Sequence, residues 1–117
     1  MRIHFTLPRV TFTVALEDNA SARDLLAMLP LTLELRDFHG IEKIAHLPER
    51  LTTEGAPAGA SARAGDLTLY APWGNLAFFY RPFEYAAGLV PLGRIEGDPA
   101  VLESIRDGDT ANVTLDE

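Results

Sequence analysis

Apolar side chains recur at every second position along much of this 117-residue chain, and a period of two commits such segments to β-structure with one face buried. Ile3, Phe5 and Leu7 alternate with Arg2, His4 and Thr6. After Pro8-Arg9 the pattern resumes at Val10, Phe12, Val14 and Leu16. Two such runs across a short break predict a β-hairpin. Leu31-Thr32-Leu33-Glu34-Leu35-Arg36 alternates strictly and predicts a strand. Asp37-Phe38-His39-Gly40 follows with turn chemistry, and Ile41-Glu42-Lys43-Ile44-Ala45 predicts a shorter strand. Two strong strands are expected at residues 66–71 and 75–80, on either side of a tight Pro72-Trp73-Gly74 turn. Further strands are expected at 90–96, around Pro91 and Gly93, and at 110–115.

The period changes in two places. Ala22, Leu25, Leu26 and Leu29 fall at helical spacing, and Pro30 ends the run. This predicts a two-turn helix over 22–29, with Ser21 and Asp24 resembling a capping box in which Asp replaces Glu. Asp98-Pro99 predicts the start of a second helix that Gly108 closes, with Val101, Leu102 and Ile105 facing inward. Residues 48–65 and 82–88 show no period and read as loops. A loop as long as 48–65 in a domain of this size is generally functional or mobile. Seven or eight short strands close best as a barrel, which removes exposed sheet edges. No linker or repeat divides the chain, so one domain over 1–117 is expected.

Charge and composition exclude several function classes. Ten basic residues stand against 17 acidic ones, a formal charge of -7. That balance disfavours nucleic acid and anionic membrane surfaces as partners. With no cysteine, disulfides, thiolate metal sites and Cys nucleophiles are ruled out. No apolar run approaches the ~20 residues of a membrane span, and residues 1–5 read as a strand rather than a signal peptide. The expected address is the cytoplasm of a bacterium-like, Arg- and Ala-rich chain.

The catalytic inventory is thin. Ser21, Ser61 and Ser104 lie in no nucleophile-elbow pattern. His4, His39 and His46 lack the paired spacing of metal ligands, and Gly55, Gly59 and Gly65 lack the spacing of a phosphate-binding loop. No metal or cofactor is expected. The acids, including Asp116-Glu117, mark turns, caps and strand ends and read as a solvated surface.

The aromatic residues are unevenly placed. Tyr70, Trp73, Phe78, Phe79, Tyr80, Phe83 and Tyr85 fall within 16 residues, leaving only Phe5, Phe12 and Phe38 elsewhere. On a strand, Leu76, Phe78 and Tyr80 share one face and Ala77 and Phe79 the other. One face fills the barrel, and the second either packs at its edge or walls an apolar concavity. Aromatic walls with a few polar groups, here Asn75, Tyr70 and Arg81, suit a peptide or a small apolar molecule.

The order strand–strand–helix–strands–helix–strand resembles the cyclophilin barrel. The segments Leu29-Pro30-Leu31-Thr32-Leu33, Gly40-Ile41-Glu42-Lys43-Ile44-Ala45, Thr53-Glu54-Gly55-Ala56-Pro57, Ala71-Pro72-Trp73-Gly74-Asn75 and Leu92-Gly93-Arg94-Ile95 are similar to the small bacterial cyclophilin-like family of unassigned role. The resemblance implies a mainly-β fold, a closed eight-stranded antiparallel barrel with two short α-helices. It also implies an isomerase question. Cyclophilins isomerise X-Pro bonds with an Arg in a Phe-His-Arg-Ile-Ile type run and a nearby Gln. Here Phe38-His39-Gly40-Ile41 has Gly in the Arg position, and the chain contains no Gln. A cation donating to the prolyl nitrogen would lower the ~18–20 kcal/mol rotation barrier. Lys43, Arg81 and Arg94 are the candidates, and Arg94 can instead be read as an ordinary strand-end surface charge.

The expected function is binding of a peptide or small ligand in an aromatic-lined cleft. Tyr70, Trp73, Asn75, Phe78, Phe79, Tyr80, Lys43, Arg94 and Glu54 are its candidate residues. A weak or divergent prolyl isomerase and an interaction module within a larger complex are the alternatives, with the chain a monomer or homodimer.

Overall fold

Both N-terminal alternating runs form the expected hairpin, β1 (Arg2–Thr6) and β2 (Thr11–Leu16), paired antiparallel with Phe5 opposite Phe12. The computed structural model describes residues 1–116; Glu117, one of the acids read as surface charge, lies outside the described residues. Helix α1 (Ala20–Ala27) follows, then β3 (Leu31–Glu34), β4 (Arg36–Phe38), β5 (Glu42–His46), β6 (Gly59–Ala62), β7 (Asp66–Tyr70), β8 (Asn75–Phe79), β9 (Phe83–Ala87) and β10 (Leu89–Ile95). A 3₁₀ helix (Pro99–Ser104) and β11 (Thr110–Leu115) complete the described fold.

Nine strands form one antiparallel sheet in the order β3-β11-β1-β2-β10-β7-β8-β5-β4. The sheet curls until β3 approaches β5, making a nearly closed, mainly-β barrel. The sheet has nine strands rather than eight because the 31–36 run splits. Leu35 leaves the ladder, donates to the Asp109 carbonyl and accepts from the Gly108 amide, and β4 pairs instead with β5.

Inward-facing residues of the alternating strands make the core. Phe5 stacks on Phe12 with ring centroids 5.2 Å apart, and Phe78 meets both edge-on at 5.1 and 5.5 Å. Burying each such ring stabilises the fold by roughly 1.5–3 kcal/mol. Ala22 and Leu25 of α1 and Leu102 after Pro99 pack into the same core.

Four local expectations are corrected. Helix α1 is capped by Asn19, whose side chain accepts from the Ala22 amide. Ser21 and Asp24 form no capping box: the Ser21 hydroxyl donates to the Thr52 carbonyl and Asp24 accepts from the Thr52 amide, tying the helix to the following loop. The second helix is 3₁₀ and ends at Ser104 rather than at Gly108, with Asp98 accepting from Ala100 as its cap. The loops at 48–65 and 82–88 contribute β6 and β9, which pair with each other as a separate two-stranded ribbon. Their sequences hide this because β6 is built of Gly, Ala and Ser, and β9 is exposed at four of its five positions.

Among the described residues, no helix is long and apolar enough to cross a membrane.

Candidate functional site

Alternation gives the β5–β8–β7 wall two buried faces. Leu76 and Phe78 of β8, Ala45 of β5 and Leu67 and Leu69 of β7 belong to the barrel core. Ala77 and Phe79, with Ile44 and Leu89, belong to a second apolar cluster on the other side, which Ala62 of β6 and Ala86 of β9 help to cover. Outside the barrel, then, the β6–β9 ribbon lies over this wall. Two glycines let it do so. A Cβ on Gly59 would stand 2.4 Å from the Ala86 carbonyl oxygen. Gly88, at φ +83°, turns the chain from β9 into β10 where a Cβ would meet Pro72 at 2.7 Å.

The ribbon leaves part of the wall uncovered, and there a cleft of about 210 Å³ opens. Strand register explains its lining. Glu42 lies opposite Phe38 on β4 and Phe79 on β8, and Asn75 lies opposite Tyr70 on β7. Cross-strand partners share a face, so these side chains line one surface, Glu42 with Phe38 and Phe79 at one end and Asn75 with Tyr70 at the other. Trp73, in the turn joining β7 to β8, packs edge-on against Tyr70 at 5.3 Å and Phe38 at 5.6 Å. Phe83 of β9 closes the far side 5.6 Å from Phe79. Trp73 remains 54% exposed and Phe83 38%, so the cleft mouth is aromatic.

Two polar groups interrupt this apolar surface. Asn75 is 1% exposed. Its side-chain nitrogen donates to the Leu76 carbonyl at 3.0 Å, and because that carbonyl only accepts, the amide orientation is fixed. The remaining atom, Asn75 Oδ1, is the one buried side-chain polar atom without a partner among the described residues. Burial also pushes the Glu42 carboxyl up to about 6, reinforced by the negative charge of Asp37. Neither a hydrogen bond nor a neighbouring cation offsets that effect.

The candidate residues separate into groups. Tyr70, Trp73, Asn75 and Phe79 come together in the cleft. Phe78 lies on the opposite face of β8, in the barrel core and fully buried. Tyr80 packs against that same core. Its hydroxyl donates to Asp37, whose Oδ1 lies 3.3 Å from the Lys43 ammonium. Lys43 is 5% exposed and also donates to the Ile105 carbonyl at 2.8 Å. The three side chains form a compact polar cluster. Burial raises the Asp37 carboxyl, but hydrogen bonds from Tyr80, the Gly40 amide and Lys43, together with the Lys43 charge, outweigh it and hold the group below its usual range. Burial, the hydrogen bond to Asp37 and the Asp37 charge push the Tyr80 hydroxyl up to about 12. Arg94 pairs with Asp66 at 2.7 Å in a different groove. Arg81 donates to the Gly40 carbonyl, and Glu54 is exposed in the turn before β6. None of the three candidate cations lines the cleft.

Phe38, Glu42, Phe83, Ala86 and Leu89 line the cleft without having been candidates. The parity that places Ile44 on the outer face places Glu42 there too, a signal present in the sequence. Phe83 belongs to the aromatic concentration but falls in a segment that reads as a loop. No group of three or more His, Cys, Asp or Glu side chains among the described residues is placed to hold a metal ion.

The fold has a solved counterpart. The chain is similar to a hypothetical protein of Archaeoglobus fulgidus whose structure was determined in solution. The TM-score is 0.70 at 18% identity, over 97% of this chain and 93% of that one. No curated protein matches the sequence. The model of the cyclophilin-like family matches residues 5–116, nearly the full length, and the chain belongs to that family.

Proposed function

We propose that this protein binds a small ligand, or a single side chain of a peptide, in the aromatic cleft between the barrel wall and the β6–β9 ribbon. The observation that carries this reading is an open apolar cleft whose mouth is held by two exposed rings, Trp73 at 54% and Phe83 at 38%. Concave aromatic surface with few polar groups is what small-molecule sites are built from. The size supports a compact occupant. A cavity of about 150 Å³ holds benzene, so 210 Å³ holds a substituted ring and not an extended peptide.

A prolyl isomerase is favoured by the family fold alone. Its chemistry needs a donor at the prolyl nitrogen, and Lys43, Arg81 and Arg94 are engaged away from the cleft. A cytoplasmic setting belongs to this reading as well, since a chain without cysteine needs no oxidising compartment.

Trp73 is the single tryptophan and sits at the cleft mouth, so its fluorescence reports occupancy directly. Saturable quenching or a spectral shift with a substituted-benzene fragment, lost in Phe79→Ala, is expected. A fragment set that leaves Trp73 emission unchanged while binding elsewhere, or not at all, overturns the reading.

A further inference from the structure

The polar groups of the cleft are matched to one class of ligand. None of its lining residues is basic, and its only charged side chain is the Glu42 carboxylate. The Asn75 amide, four residues along β8 from the partner of Glu42, is buried and bonds to the Leu76 carbonyl, so it brings no charge to the cleft. Around them stand Phe38, Tyr70, Trp73, Phe79 and Phe83, whose ring faces attract cations through their quadrupoles. An anionic ligand would meet an uncompensated carboxylate. A neutral apolar one would bury that charge further without pairing it. A ligand carrying a positively charged N–H donor on an apolar body pairs the carboxylate and meets the ring faces together.

We propose that the occupant of this cleft is a small organic ammonium compound, its nitrogen paired with the Glu42 carboxylate and its apolar body packed against the aromatic walls. The proposal rests on the reading of the cleft as a ligand site and specifies the chemistry it selects. The burial that raises the Glu42 carboxyl to about 6 supports it, because an arriving cation relieves that penalty while most Glu42 groups are ionised at pH 7.5.

The same ammonium chemistry is found on free amines and on lysine side chains, and the test separates these sources. Binding of benzylammonium, benzyl alcohol, phenylacetate and a blocked lysine amide is measured at pH 7.5 by Trp73 fluorescence and calorimetry. Benzylammonium is expected to bind about tenfold more tightly than benzyl alcohol, with phenylacetate weakest. In Glu42→Gln the benzylammonium to benzyl alcohol ratio is expected to fall to about one. A blocked lysine amide that matches benzylammonium supports the proposal with a peptide source; one that binds far more weakly supports it with a free amine. Equal affinity for benzylammonium and benzyl alcohol in the unaltered protein overturns the cation proposal and leaves the cleft a ligand site. Failure of every probe, the neutral one included, overturns the ligand-site reading itself.

Discussion

Replacing Glu42 by glutamine should make this protein more stable at neutral pH. In the folded state its carboxyl titrates at about 6 against an ordinary 4.5. The folded protein therefore holds that proton more tightly than the unfolded chain, and stability falls as pH rises from about 4.5 through 6. The difference between 4.5 and about 6 corresponds to about 2 kcal/mol. The carboxyl borders an open cleft, where water and salt screen part of the effect, so about 1 kcal/mol is the expected net value. Glutamine keeps the shape and removes the charge. Urea unfolding of the two proteins at pH 8 should give Glu42→Gln about 1 kcal/mol more stability, or a Tm higher by about 4 °C for a domain of this size. At pH 4 most of the difference should vanish, since both forms are then largely uncharged. Equal or lower stability of the variant at pH 8 would refute the claim that Glu42 carries an uncompensated charge, as would an advantage that persists unchanged at pH 4.

Phe78→Ala should lower stability by about 3–5 kcal/mol in urea unfolding, because the ring is fully buried against the stacked Phe5 and Phe12. Lys43→Ala strands the Ile105 carbonyl and removes the cation beside Asp37, and should destabilise by about 1–3 kcal/mol. Asp37, held below its usual range, contributes stability that is present above the ordinary value of 3.8 and lost as pH falls through its lower folded value. Asp37→Asn should flatten this acid limb of the stability curve. Gly59→Ala sets a Cβ 2.4 Å from the Ala86 carbonyl, so amide exchange over Phe83–Ala87 should accelerate while the barrel strands stay protected.

Part of the barrel was legible because strands with one solvated face alternate, as the β1–β2 hairpin and β11 do. β7 and β8 are buried on both faces and were legible from their apolar and aromatic content, and the Pro72-Trp73-Gly74 turn is marked by its own chemistry. The ribbon was not legible. In β6 the side chains are too small to show a period, and β9 has almost no buried face to reveal one. The candidate site was readable in part for a related reason. Tyr70, Trp73, Asn75 and Phe79 stand close in sequence on two adjoining strands and their turn. Phe38 and Glu42 reach the cleft only through pairing of β4 and β8 with β5, a long-range register that composition cannot supply. Lys43 shows the reverse case. Its neighbour Glu42 faces the cleft, so one step along the strand turns Lys43 to the opposite face, where Asp37, Tyr80 and the Ile105 carbonyl hold it.

The most direct test of the account is the Asn75 side-chain amide in a ¹⁵N-labelled sample titrated with benzylammonium. Its side-chain nitrogen donates to the Leu76 carbonyl, and its two N–H resonances report on the cleft wall beside Tyr70. They should shift together with the Trp73 indole N–H and saturate at one common affinity. Shifts confined to the groove around Arg94 and Asp66, with the Asn75 and Trp73 resonances unmoved, would contradict it.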